Sequence, residues 1–216
     1  MVNKLVLFDW EGVILRKYPQ PHSSKEAIIN TIKFFNNSLT EDDAYTAYRA
    51  TLKDEKGVYV SQYNDDINIT KWFERLKEKS NLTVEKAVFY NKFEEEFLKT
   101  EPYKDVVELI HSLKEKCNVG VFSDLILYCG KALDKQVDFN TLDYVFLSYE
   151  TGLLKTDIKA FENVEKITKI EPENILFIDD NNFNLENARN RGWNTCLAEG
   201  FEIEKINKEI NKFLYN

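Results

Sequence analysis

Three short apolar runs, each closed by a polar residue, constrain this chain more than anything else in it. Leu5 to Phe8 runs into Asp9, Val119 to Phe122 into Ser123, and Ile175 to Ile178 into Asp179 and Asp180. A fourth run, Tyr144 to Leu147, is followed by Ser148 and then by the Gly152 to Lys155 segment. Continuous apolar runs of this length belong to strands buried on both faces, the habit of parallel sheets. Helical spacing fills the gaps. Val106, Ile110 and Leu113 form one apolar stripe in 103–116, and Phe161, Val164 and Ile167 form another in 158–168. Ile203, Ile206, Ile210, Phe213 and Leu214 form a third on a last helix. Strand and helix in alternation predict parallel crossovers and an α/β fold built on a doubly wound parallel sheet.

No simple crossover follows the first strand. Residues 18–99 carry no comparable apolar run and read as about four helices, near 23–37, 40–53, 66–80 and 83–99. Ser23 with Glu26 and Ser38 with Glu41 have the spacing of helix-starting capping boxes. Phe34, Phe35, Tyr45, Tyr48, Trp72, Phe73, Phe89, Phe93 and Phe97 supply aromatics for the centre of a small bundle, as core rather than as a ligand cage. The stretch 54–66, with Gly57 and the cluster Asn64-Asp65-Asp66, is the most loop-like piece. The predicted organisation is therefore an α/β core of 1–17 and 100–216, interrupted by a helical insertion over 18–99.

Composition removes several function classes. Lys and Arg number 29 against 37 Asp and Glu, a formal charge of −8, which argues against non-specific binding of nucleic-acid backbone. No stretch approaches the roughly 18 apolar residues of a membrane span, and the run before Asp9 is too short for a signal peptide. Cys117, Cys129 and Cys196 show no CxxC spacing and read as reduced thiols of a cytoplasmic protein. The two histidines, His22 in the Pro19-Gln20-Pro21 hinge and His111 in a core helix, lie too far apart in sequence to suggest a zinc site or a Ser-His-Asp triad.

In an open parallel sheet, ligands bind outside the carboxyl ends of the strands. Neighbouring strands would thus gather Asp9, Ser123, Asp179 and Asp180 in one place, with Lys155 arriving from a loop. Two like charges about 4 Å apart repel by roughly 4 kcal/mol at an effective dielectric near 20, a cost that a divalent cation removes. Oxygen ligands without Cys or His point to magnesium, which commonly shares its shell with a substrate phosphate. An Asp carboxylate can attack phosphorus, and phosphoryl transfer asks chiefly for in-line placement and charge neutralisation. Lys155 and the cation would neutralise the phosphoryl oxygens, Ser123 would hold one of them, and backbone N–H groups around Glu11 and Gly12 could add donors.

The order of these pieces resembles the haloacid-dehalogenase superfamily of hydrolases, whose four motifs appear in sequence. Asp9-Trp10-Glu11-Gly12-Val13-Ile14 resembles the first and Phe122-Ser123-Asp124 the second. Gly152-Leu153-Leu154-Lys155 resembles the third, with Thr156 where the family often has Pro. Phe177-Ile178-Asp179-Asp180, followed by Asn184 and Gly192, resembles the fourth. The sub-branch most resembled contains the phosphatase domain of soluble epoxide hydrolase and bacterial sugar-phosphate phosphatases. The insertion matches in position and helical character, as a C1-type cap that would open to admit substrate and close to exclude water. The resemblance implies that Asp9 is the nucleophile and a magnesium ligand, beside the backbone carbonyl of Glu11 and the side chain of Asp180, with Asp179 binding the metal directly or through water. Ser123 and Lys155 would hold the phosphoryl group, with Asp124 beside them at the substrate. Asn184 would support the site from behind.

One position departs from the pattern. Phosphatases of this family commonly carry a second Asp, the general acid and base, two residues after the nucleophile, and here that residue is Glu11. Glutamate has the right chemistry but reaches one methylene further. The reading is a magnesium-dependent phosphatase of small phosphorylated metabolites; a binding or regulatory protein that lost efficient chemistry, and a phosphomutase, stand as alternatives. A dehalogenase has no need of the Asp179-Asp180 pair, and a receiver domain would place its acidic pair at the first strand.

Overall fold

The computed structural model describes residues 3–16, 24–133, 135, 137–138 and 141–215. Five parallel strands form one sheet: β1 (Leu5–Phe8), β2 (Asn118–Ser123), β3 (Tyr144–Leu147), β4 (Ile175–Asp179) and β5 (Asn194–Leu197), in the order β3-β2-β1-β4-β5. The four predicted runs are the four strands from β3 to β4. The edge strand β5 has no such run, because Asn194 and Leu197 face solvent while Cys196 is buried.

The helices of the core are α5 (Lys104–Leu113), α6 (Leu127–Leu133), the single turn α7 (Ser148–Thr151), α8 (Ile158–Thr168), α9 (Asn182–Asn190) and α10 (Ile203–Tyr215). Both sheet faces are covered, which is why the inner strands carry continuous apolar runs. Val6, Phe8, Val119, Val121, Leu176 and Ile178 belong to one buried cluster with Val106 and Ile110 of α5 and Ile206 and Ile210 of α10. Leu5, Leu7, Phe122, Ile175 and Phe177 belong to the other, with Phe161 of α8 and Leu185 of α9. Fully burying one such side chain contributes about 1.5–3 kcal/mol, so the alternating faces account for the doubly wound arrangement. Among the described residues, no helix is long and apolar enough to cross a membrane.

Between β1 and β2 lie α1 (Ser24–Phe35), α2 (Glu41–Arg49), α3 (Asp66–Lys79) and α4 (Lys86–Phe97). Trp72, Phe73, Phe89, Phe93 and Phe97 are fully buried as expected, whereas Phe34 is 63% exposed, with Lys92 above its ring. The capping box of α2 sits two residues later than the Ser38 and Glu41 spacing predicted. Thr40 accepts from Asp43 N at 3.1 Å, and Asp43 accepts from Thr40 N at 3.0 Å. The Ser23 box and His22 lie outside the described residues. The loop-like stretch holds a Lys53 to Tyr59 bridge and a 3-10 turn at Val60–Gln62.

The chain leaves and re-enters the core side by side. Leu15 bridges Pro102, Tyr103 N donates to Ile14 O at 2.8 Å, and Arg16 N donates to Glu101 O at 3.0 Å. The insertion also touches the core elsewhere. Gln62 donates to Gly152 O at 2.7 Å while Ser148 donates to Ser61 O at 2.7 Å, and Tyr90 stacks on Tyr128 of α6.

Candidate active site

The register decides what meets at the top of the sheet. Phe8 pairs with Val121 on one side and Ile178 on the other, so Asp9, Ser123 and Asp179 emerge together from three adjacent strands. Asp9 N still donates to Ile178 O at 2.8 Å, and Asp9 Oδ1 accepts from Trp10 N at 2.7 Å and from Ser123 Oγ at 2.7 Å. Lys155 enters from the loop after α7 and lies 2.8 Å from Asp9 Oδ1 and 2.8 Å from Asp179 Oδ2. All four groups are buried, Asp179 completely.

Asp179 is held from two further directions by residues of α9 and its lead-in. Asn181 N donates to its Oδ1 at 2.7 Å and Asn184 Nδ2 to its Oδ2 at 3.0 Å, so Asn184 supports the site from behind. Asn187 Nδ2 fixes the Lys155 carbonyl at 2.9 Å. Asp124 accepts the Lys155 N–H on both oxygens, at 3.1 and 3.2 Å, so its carboxylate anchors the lysine loop. That anchoring contact is what the structure shows for Asp124.

Burial dominates the electrostatics. It pushes the Asp9 carboxyl up from 3.8 to about 7; Lys155 pulls against the rise and Asp179 adds to it. Burial raises Asp124 as well, with Lys155 opposing. For Lys155 burial works toward the neutral form, but Asp9, Asp179 and Asp124 together hold its ammonium above the ordinary lysine range. One ammonium therefore faces several carboxylates in a dry place.

Asp9, Asp179 and Asp180 each offer a carboxylate oxygen within 4.8 Å of the others. The backbone after Asp9 leaves room for this. Gly12 has φ +95°, and a Cβ there would stand 2.5 Å from Asp180 Oδ2. A hard, oxygen-only donor set with more carboxylates than cations fits a magnesium-like ion by both charge and ligand type. The expected backbone donors near Gly12 are partly taken: Gly12 N donates to Leu15 O at 2.9 Å. Glu11 turns toward the insertion, where Ser24 Oγ donates to its Oε2 at 2.5 Å.

Sequence reasoning brought Asp9, Ser123, Lys155, Asp179, Asp180 and Asn184 to this site, and the fold places them together. It missed Ser24, Asn187 and Ser148, which act through contacts between distant segments and leave no local spacing to read, and Asn181, whose backbone N–H reaches back to Asp179 two residues before it. His111 lies exposed on α5, away from these residues.

The model of the haloacid dehalogenase-like hydrolase family matches residues 3–191. No curated protein matches the chain in sequence. Among solved structures, the chain is similar to a HAD family enzyme from Bacteroides thetaiotaomicron in complex with magnesium and inorganic phosphate. The two are 20% identical with TM-score 0.68, over 90% of this chain and 93% of that one. It is also similar to a predicted HAD-like family hydrolase from Porphyromonas gingivalis, at 18% identity and TM-score 0.69 over 100% of both chains. L-2-haloacid dehalogenase from Xanthobacter autotrophicus, with chloropropionic acid covalently bound, is 16% identical with TM-score 0.60 over 90% of this chain and 76% of that one.

Proposed function

The chain belongs to the haloacid dehalogenase-like hydrolases, and from that membership we propose that it is a magnesium-dependent phosphatase of small phosphorylated metabolites. The observation that carries the proposal is the acidic cluster: Asp9, Asp179 and Asp180 together, with Lys155 inserted between the first two. Attack on carbon, as in a dehalogenase, gives no reason to crowd three carboxylates. Transfer of a phosphoryl group does, because a cation held there neutralises the phosphoryl oxygens. The side chains of Asp9, Asp179 and Asp180 and the backbone carbonyl of Glu11 would hold it.

The chain's own residues would act as follows. Three donors fall on Asp9 Oδ1, which orients the carboxylate and leaves Oδ2 to attack phosphorus. The Oδ2–P bond forms as the ester P–O bond breaks, and the leaving oxygen takes a proton from Glu11. Water then attacks phosphorus and gives its proton to Glu11. The Asp9–phosphorus bond breaks, and inorganic phosphate and free carboxylate result. Ser123 and Lys155 would hold the phosphoryl oxygens, and Asp124 would keep Lys155 in place through its backbone N–H. Residues 18–99 would act as a cap that moves away to admit substrate, a reading that the burial of Asp9, Lys155 and Asp179 supports. The enzyme would work in the cytoplasm, where its three free cysteines stay reduced.

The test is hydrolysis of p-nitrophenyl phosphate and a panel of sugar phosphates, with and without magnesium, beside Asp9→Asn. Turnover that requires both magnesium and Asp9 supports the proposal. A wild type no faster than Asp9→Asn on every compound sinks it and leaves a binding protein. Isomerised sugar phosphate without phosphate release would make the chain a phosphomutase.

A further inference from the structure

The backbone at residue 11 is fixed from both sides. Glu11 bridges Leu15, Gly12 N donates to Leu15 O at 2.9 Å, and Gly12 O accepts from Gly200 N at 2.9 Å. Where the carboxylate ends is therefore set by the length of the side chain. With the reach of a glutamate it arrives at the first residue of α1, where Ser24 Oγ donates to Oε2 at 2.5 Å. The Tyr48 phenol of α2 and the Cys129 thiol of α6, both driven up chiefly by burial, also feel the charge of Glu11. Glu11 thus stands at a junction of insertion and core, and Ser24 of the insertion donates a hydrogen bond to its carboxylate.

We propose that Ser24 is a positioning residue for Glu11, so that the acid–base carboxylate is set in place by the insertion when α1 rests on the core. The inference rests on the phosphatase reading and adds to it a reason for glutamate at this position. One methylene is about 1.5 Å of reach. An aspartate at 11 would stop short of Ser24 by that much, beyond the roughly 3.2 Å limit of a good hydrogen bond. Restoring the residue that the resembled phosphatases carry should then harm this enzyme rather than improve it.

The experiment compares wild type with Ser24→Ala, Ser24→Thr, Glu11→Asp and the Glu11→Asp/Ser24→Ala pair, in the magnesium-loaded protein. Values of kcat/KM are measured on p-nitrophenyl phosphate and on the best sugar phosphate. Nitrophenolate leaves without help from an acid, whereas a sugar alkoxide needs the Glu11 proton. Ser24→Ala should lower kcat/KM on the sugar phosphate by about tenfold, the scale of one hydrogen bond to a charged group. It should change the nitrophenyl ester by less than about twofold. Ser24→Thr should restore most of the loss, Glu11→Asp should resemble Ser24→Ala, and the pair should be no worse than either.

Equal losses on both esters, no rescue by threonine, or a Glu11→Asp enzyme faster than wild type would each overturn the proposal. A wild type that hydrolyses esters through magnesium and Asp9 while Ser24→Ala is indifferent sinks this inference alone. A wild type no better than Asp9→Asn sinks the phosphatase reading. In that case the contact is judged by unfolding midpoints, where additive effects of Glu11→Ala and Ser24→Ala would overturn it and non-additive effects would uphold it.

Discussion

Replacing Gly12 with alanine would separate the geometry of the acidic cluster from its charge, because it deletes no ligand. The position has φ +95°, and the new Cβ would sit 2.5 Å from Asp180 Oδ2 and 2.7 Å from Asp180 Cγ. Comfortable contacts between such atoms begin near 3.5 Å, so something must move by roughly 1 Å. The backbone cannot easily yield: its N–H is bonded to Leu15 O and its carbonyl to Gly200 N, both at 2.9 Å. The carboxylate of Asp180 is what gives way. Left-handed strain costs roughly 1–2 kcal/mol, and for a chain of this size each kcal/mol lowers the unfolding midpoint by about 2–4 °C. A displacement of about 1 Å in a positioned group costs on the order of 100-fold in rate.

Titration calorimetry with magnesium, thermal unfolding and turnover on p-nitrophenyl phosphate should show weaker magnesium binding, a lower midpoint and slower turnover in Gly12→Ala. Gly57→Ala is the control: Gly57 has φ +78°, but nothing lies within 4 Å of its added Cβ. It should lose a similar few degrees of stability while keeping its magnesium affinity. If Gly12→Ala binds magnesium and turns over within about threefold of wild type, Asp180 does not owe its place to the missing Cβ and the reasoning fails.

Lys155→Met removes the cation between two buried carboxylates that each lie 2.8 Å from it. Breaking a buried pair this way costs roughly 3–5 kcal/mol, and magnesium should restore part of that stability but not the turnover; urea melts with and without magnesium check it, and a loss below about 1 kcal/mol would contradict it. Magnesium binding should also depend on pH. Asp9 is raised to about 7 in the metal-free fold, so the stability it contributes is full at low pH and is lost as pH rises through about 7. Below that pH a cation must displace its proton. At a fixed magnesium concentration the gain in unfolding midpoint should therefore be larger near pH 8 than near pH 6, and equal gains would argue that Asp9 is not a ligand.

How far the fold could be read depended on burial. The runs that became β1, β2 and β4 are buried on both faces, and apolar content alone marks such strands. The strand β5 escaped because its sequence Asn194 to Leu197 carries no apolar run, and Asn194 and Leu197 meet solvent. The same contrast explains the capping box on α2. Serine and threonine both suit an N-cap, and the choice of Thr40 with Asp43 over Ser38 with Glu41 follows from where the chain turns after α1.

The site divides along a similar line. Asp9, Ser123 and Asp179 could be read because each ends a strand, and a parallel sheet brings strand ends together whatever else the chain does. Asp124 shows the limit: its neighbour Ser123 faces Asp9, while Asp124 itself turns to the Lys155 N–H, a partner 31 residues on. Glu11 goes further still. As a sequence position it differs from the resembled pattern by one methylene and reads as a weakness. In the fold, that methylene carries the carboxylate to Ser24, a donor supplied by the insertion. A longer acid here makes sense with a donor set correspondingly further out, so residues 11 and 24 should be treated as one unit. Under the proposed role, changing either alone would misplace the proton that the leaving group needs, and a shorter acid would become competitive only with its donor moved inward to meet it.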